Sequence, residues 1–349
     1  MENTLLKELS ELNNKLVKSY DTLSKIDGVE IGASAKTEVY AEDKLRLYHY
    51  NRSDKAEIKT PVLIVYALVN TYKMLDLQPD RSYIQNLLKL GMDVYLIDWG
   101  YPTKADRYLS IDDYVNGYIN NCVDFIRKKD KADKVNIISI CQGGTLSCIY
   151  TSLYPNKIKN LVTQVTPIDF GTNDGLLFKW SRDIDFDKLV EGYNGLIPGS
   201  FLNEGFAMLK PMMQFQKQQT MVNNLDDKDK LLNFLRMEKW IADSPDQAGE
   251  CFRQFMKDLY QQNKLIKGEL LVEGKKVNLK NIICPLLNIY ATEDHLVPPA
   301  ASIPLNDAVG SKDKELYSFK GGHIGVFVGG KSQKELAPAI AKWLKERDV

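Results

Sequence analysis

Three residues able to carry acyl chemistry together stand far apart in the chain: Cys141, Asp294 and His323. Cys141 lies in Ser139-Ile140-Cys141-Gln142-Gly143-Gly144, directly after a β-branched apolar run. Small residues two before and two after a nucleophile let a strand turn sharply into a helix and lift the side chain clear of the sheet. A thiol with a pKa near 8.5 is only slightly ionised at neutral pH, so this nucleophile needs a base. Passing an acyl group from sulfur to sulfur keeps it a thioester, reactive enough for a second transfer, and the chemistry expected is acyl transfer from a thioester. Of only three histidines, His323 lies in Gly321-Gly322-His323-Ile324-Gly325, where glycines let a loop project the ring, and it is the expected base. Asp294 either orients that ring or helps activate an attacking alcohol. The backbone amide of Gln142 and those of the loop at Val69 and Asn70 are expected to hold the oxyanion.

Other readings of these residue types are blander. A free cysteine is commonly a buried structural residue. His295 adjoins the acid and is poorly placed to be its partner, His49 alternates with apolar neighbours on a strand, and Asp98 suits a loop anchor.

The elements that must position the three are legible as apolar runs. Segments 61–69, 92–99, 135–140, 161–166, 286–291 and 316–319 read as strands, with helices over 80–90 and 111–128 and after Cys141. Residues 37–50 read as a hairpin. The alternation predicts a doubly wound, mostly parallel α/β sheet, whose sites gather at the carboxyl ends of the strands. A last helix is expected from about Ser332, with Pro338 in or near its first turn. Residues 168–280 lack β-branched runs and hold Met208, Met212, Met213, Met221, Met237 and Met256, which suits a mainly helical cap over an apolar substrate. The expected division is an N-terminal helical arm at 1–35, with an apolar stripe over 5–26, a core at 36–167 and 281–349, and the cap at 168–280. The order nucleophile, acid, base is that of the α/β-hydrolase fold.

Composition narrows the function. The 349 residues are 44% hydrophobic and 26% charged with zero formal net charge, ordinary for a globular protein and unpromising for nucleic acid. No apolar run approaches the ~18 residues of a membrane span, and no signal peptide is evident, so a cytoplasmic protein is expected. The five cysteines form no C-x-x-C pair, and no metal site is expected. Cys141 and Cys148, seven apart on one helix, would lie about 10 Å apart, too far for a disulfide.

The chain resembles the catalytic subunit of class III polyhydroxyalkanoate synthases. The resemblance rests on Leu63-Ile64-Val65-Tyr66-Ala67-Leu68-Val69-Asn70, Asp98-Trp99-Gly100-Tyr101-Pro102, Ile140-Cys141-Gln142-Gly143-Gly144, Met237-Glu238-Lys239-Trp240-Ile241, Asp243-Ser244-Pro245-Asp246-Gln247-Ala248-Gly249-Glu250, Asp294-His295-Leu296-Val297-Pro298-Pro299 and Gly321-Gly322-His323-Ile324-Gly325. It implies polymerisation of (R)-3-hydroxyacyl-CoA, such as 3-hydroxybutyryl-CoA, with release of CoA and no further cofactor. It also implies a separate helical partner subunit and growth of polyester on cytoplasmic granules, and a homodimer of catalytic chains is expected. Under it Cys141 holds the acyl chain, His323 activates the thiol and Asp294 assists the incoming 3-hydroxyl. Two positions differ from the family: Ser139 stands where Gly is usual, and Thr71-Tyr72-Lys73 where the loop usually has a Pro-Tyr pair. The competing readings are a thiol-dependent thioesterase of the same fold and a non-catalytic granule scaffold.

Overall fold

The computed structural model describes residues 26, 28–52, 55–225 and 227–348. The apolar stripe expected over 5–26 lies, except for Ile26, outside the described residues. Eight strands form one sheet: β1 Lys36–Glu42, β2 Leu45–Tyr50, β3 Val62–Val65, β4 Val94–Asp98, β5 Val135–Ile140, β6 Ile158–Gln164, β7 Leu286–Ala291 and β8 Lys314–Phe319. Their order is β1-β2-β4-β3-β5-β6-β7-β8. The β1–β2 and β2–β4 pairs are antiparallel and all others parallel. Every residue of β3 and β5 is buried. That is why these central strands read as continuous apolar runs without alternation.

Successive side chains of one strand feed two different cores. Leu63 and Val65 enter the layer that holds Val123 and Ile126 of α2 Asn120–Asp130, whereas Val62 and Ile64 enter the layer that holds Leu87 of α1 Tyr83–Lys89 and Leu336 of the C-terminal helix. Helix α1 starts where the Ser82 hydroxyl accepts the Gln85 amide at 3.0 Å. Helix α3 Gln142–Leu153 follows β5 directly and is buried along almost its whole length.

The structure shifts some expected boundaries. The run read as a strand over 61–69 leaves the sheet after Val65. Helix α3 crosses there so closely that a Cβ on Gly143 would lie 2.4 Å from the Val65 carbonyl oxygen. The strand expected at 161–166 starts at Ile158 and ends at Gln164, and the helix expected over 111–128 begins as a π-helical turn, Asp113–Ile119, before α2. Pro338 is the clearest correction. The last helix runs Gly330–Lys345, so Pro338 lies well inside it. Its ring removes one N–H and crowds the carbonyl of Lys334; both residues face solvent, where water can take the unpaired oxygen.

Between β6 and β7 none of the described residues joins the central sheet. The segment forms helices α4 Gly199–Leu209, α5 Pro211–Asn224, α6 Lys228–Ala242 and α7 Gly249–Gln254, followed by a second π-helical turn, Phe255–Gln261. A short antiparallel ribbon joins Leu196–Ile197 to Gln247–Ala248. The C-terminal helix becomes α8. No described helix is long and apolar enough to cross a membrane.

Candidate active site

Cys141 sits between β5 and α3 at φ 52° and ψ −125°, a conformation side chains other than glycine rarely adopt. The glycines after it answer to close backbone and side-chain approach: besides the contact at Gly143, a Cβ on Gly144 would stand 1.9 Å from Thr166 Oγ1. Ser139, where the related family usually has glycine, is fully buried and donates its hydroxyl to the Val162 carbonyl at 3.1 Å. The extra oxygen is therefore satisfied against the neighbouring strand, and the turn is intact.

Asp294 and His323 arrive from the carboxyl ends of β7 and β8. Two backbone bonds hold the loops together there, Thr292 N–H to the Phe319 carbonyl and Glu293 N–H to the Gly321 carbonyl, each 2.9 Å. Asp294 Oδ1 accepts the amides of Leu296 and Val297, both at 2.9 Å, and Oδ2 lies 2.6 Å from His323 Nδ1. The other ring nitrogen is left for the Cys141 thiol, which lies near enough to influence the ring's titration. Burial pulls the His323 pKa down, but the Asp294 carboxylate and Cys141 together outweigh it and raise it to about 10. The structure thus brings together the three residues chosen from sequence.

The remaining candidates separate. Among the described residues the hydrogen bond of a histidine to Asp294 comes from His323 and none from His295, whose pKa is lowered by burial and by Lys210. His49 lies on β2 with Nε2 2.7 Å from Asp93 Oδ1 and its ring stacked on Tyr95. Asp98 accepts the Gly100 amide at 3.1 Å, as a turn anchor does, and burial raises its pKa. All five cysteines are free; Cys122, Cys148, Cys251 and Cys284 are buried, and burial pushes each of those thiols up. Among the described residues no group of three or more His, Cys, Asp or Glu side chains could hold a metal ion.

Gln142 is the first residue of α3, so its amide has no acceptor within the helix. Its side-chain oxygen accepts the Leu68 amide at 3.1 Å and ties the loop after β3 to the elbow. Val69 and Asn70 follow on that loop, and Asn70 is left-handed at φ 61°. The Asn70 carboxamide oxygen accepts the hydroxyl of Ser244.

That contact belongs to a junction the sequence reading missed. Asp243 receives Lys73 Nζ at 2.6 Å and the Tyr101 hydroxyl at 2.7 Å, while Trp240 Nε1 donates to the Thr71 carbonyl at 2.8 Å. Thr71-Tyr72-Lys73, the loop that departs from the family pattern, is thus the surface on which the end of α6 rests. The pairing of Lys73 with Asp243 across 170 positions carries no periodic signal. Tyr66 and Tyr260 are also near the thiol: burial and then Cys141 push both phenols up.

Comparison with known proteins bears on the family and the fold. Residues 60–330 match the family model described as alpha/beta hydrolase fold, and residues 2–87 match that of the poly-beta-hydroxybutyrate polymerase (PhaC) N-terminus. The poly(3-hydroxyalkanoate) polymerase subunit PhaC of Allochromatium vinosum is 53% identical, with 98% of this chain and 97% of that protein covered. The proteins of the same name from Thiocystis violacea and a Synechocystis strain are 53% and 48% identical, each covering 98% of this chain and 97% and 93% of their own length. Among solved structures, a Paleococcus ferrophilus monoacylglycerol lipase aligns with a TM-score of 0.54 at 18% identity, covering 86% of this chain and 99% of that one. A Thermogutta terrifontis esterase aligns at 0.52 and 12% identity, covering 90% and 100%. At such identities the likeness is one of fold alone. A strained cysteine elbow with its histidine and aspartate, on this sheet and at this identity to its relatives, places the chain in the poly(3-hydroxyalkanoate) polymerase (PhaC) family of the α/β-hydrolase fold.

Proposed function

We propose that Cys141 is the residue on which this acyltransferase polymerises hydroxyacyl-CoA. The thiolate attacks the thioester carbonyl of (R)-3-hydroxyacyl-CoA, and the amides of Gln142 and of the loop at Val69 and Asn70 receive the oxyanion. The carbon–sulfur bond to CoA breaks, His323 returns its proton to the departing sulfur, and the acyl group remains on Cys141. The 3-hydroxyl of a second hydroxyacyl-CoA then attacks that thioester. An ester forms, the bond to Sγ breaks, and the hydroxyl proton passes through His323. The lengthened chain, now a CoA thioester, returns to Cys141 by the same exchange. The reading calls for no cofactor, since CoA enters with the substrate and leaves as product.

The observation that carries this reading is the buried Asp294–His323 pair, 2.6 Å apart, with Cys141 on its strained elbow near the same ring. Because both Asp294 oxygens are engaged by backbone amides and His323, Asp294 acts through the ring, and His323 is the base toward thiol and alcohol alike. The burial of the other four cysteines favours a single thiol per chain. We read 168–280 as a cap on the core formed by 36–167 and 281–349. We further propose 3-hydroxybutyryl-CoA as a substrate, a helical partner subunit, a dimer of catalytic chains and residence on cytoplasmic polyester granules; that relatives are named polymerase subunits supports the partner.

The test is CoA release from (R)-3-hydroxybutyryl-CoA by the purified chain, with and without a coexpressed partner, alongside analysis of the product. Insoluble polyester is expected; free 3-hydroxybutyrate would make the protein a thioesterase instead.

A further inference from the structure

Cys141 follows β5 and Asp294 follows β7, and β6 lies between these two strands in the sheet. The last residue of β6, Gln164, pairs with Ile140 on one side and Ile289 on the other. Its carbonyl accepts the Cys141 amide at 2.9 Å, and the amide of Val165, in the same peptide unit, donates to the Ile289 carbonyl at 2.8 Å. One peptide therefore fixes the backbone of the nucleophile against the strand that carries its acid.

That peptide leads into strain. Val165 has φ 45°, in the left-handed region that a β-branched residue rarely adopts. Such a conformation persists only where its surroundings hold it. Gln164 and Tyr83, the first residue of α1, are both fully buried, and Gln164 Nε2 donates to the Tyr83 hydroxyl at 3.0 Å. Thr166 Oγ1 donates back to the Gln164 carbonyl at 3.2 Å. Gln164 Oε1 has no hydrogen-bond partner among the described residues. An apolar pair would fill this space without leaving a buried oxygen unpaired, so packing alone does not account for two polar side chains here.

Tyr83 also reaches the other half of the site. Its ring meets Phe327 edge-on, with centroids 6.2 Å apart. Phe327 lies in the short helix Gly325–Val328, which begins two residues after His323. The hydroxyl of Tyr83 thus holds the residue that binds the Cys141 amide, and its ring packs on the element that follows the base.

We propose that Gln164 and Tyr83 are positioning residues: their buried hydrogen bond holds the peptide after Gln164, and with it the Cys141 elbow, in place against the loop that carries His323. The inference rests on Cys141 being the nucleophile, and it leaves substrate binding to other residues.

Tyr83→Phe keeps the ring on Phe327 and removes the hydroxyl; Gln164→Met keeps the bulk and removes the amide. For each, and for the double variant, kcat and KM for CoA release from (R)-3-hydroxybutyryl-CoA are measured, together with the rate at which iodoacetamide alkylates Cys141, followed on its peptide by mass spectrometry. Both kcat and the alkylation rate are expected to fall about two- to tenfold, the range one net hydrogen bond spans, with KM within about twofold of wild type. The double variant is expected to be no slower than the slower single one, because the two residues act as a unit. A role in packing alone would lower the melting temperature and leave both rates within about twofold. That result, a loss confined to KM, or losses that multiply in the double variant would overturn the inference. Should Gln164→Met fail to fold, kcat and alkylation of Tyr83→Phe decide it. Wild-type protein that yields free 3-hydroxybutyrate in place of polyester would overturn the polymerase reading and leave this one standing, since alkylation reports on the thiol alone.

Discussion

Cys141 holds a backbone conformation that costs on the order of 1–3 kcal/mol, and its neighbours are chosen to make that tolerable. Gly144→Ala is expected to drive a methyl into Thr166, costing at least about 1–3 kcal/mol and most of the activity; thermal melting and CoA release measure both. Ser139→Gly should leave CoA release within about twofold but lower unfolding stability by about 1–2 kcal/mol, through loss of the bond to Val162 and greater backbone entropy. The raised His323 pKa makes a pH-dependent contribution whose sign is fixed. The protonated ring is favoured in the folded state, so the stabilisation is complete below the unfolded value of about 6.5 and is lost as pH rises toward about 10. Asp294→Asn removes the main cause of that shift. In denaturant titrations its stability deficit against wild type should be largest below about pH 6.5 and shrink toward pH 10; a deficit growing over that interval would contradict the ion pair.

At the scale of elements, the end of α6 meets the loop after β3 through Asp243. Lys73 and Asp243 are each a little under a third exposed, so their pairing is worth about 0.2–1 kcal/mol at ordinary salt. Lys73→Met should therefore change the melting temperature by no more than about 1–3 °C, while increasing proteolytic nicking between α6 and the ribbon, read by limited proteolysis at low salt. High salt should produce the same nicking in the wild type. Such a contact could not be read from sequence, because ion pairs between distant loops leave no period. Strand identities could, since burial on both faces makes β3 and β5 uniformly apolar. Where strands stop was less legible: Tyr66, Ala67 and Leu68 continue the hydrophobic run and are buried too, yet the approach of α3 ends the strand at Val65. Pro338 misled for a related reason. Propensity disfavours proline inside a helix, but packing of Leu336, Ile340 and Leu344 on the sheet keeps α8 continuous around it.

For the whole molecule, sheet order and the chain order of the three catalytic candidates reinforce each other, because parallel strands deliver their carboxyl ends to one edge. Residues 141, 294 and 323 could be picked from sequence since each follows an apolar run. Lys73 and Tyr260 could not, because their significance lies in what folding sets beside them. The central claim is that acyl chains are carried on Cys141. Mass spectrometry of the intact protein, then of its peptides, after brief mixing with (R)-3-hydroxybutyryl-CoA measures this directly. The account expects a 3-hydroxybutyryl adduct on the peptide bearing Cys141, hydroxylamine-sensitive as a thioester is, and absent in Cys141→Ala. Polyester formation by Cys141→Ala, or an adduct on another cysteine, would contradict it.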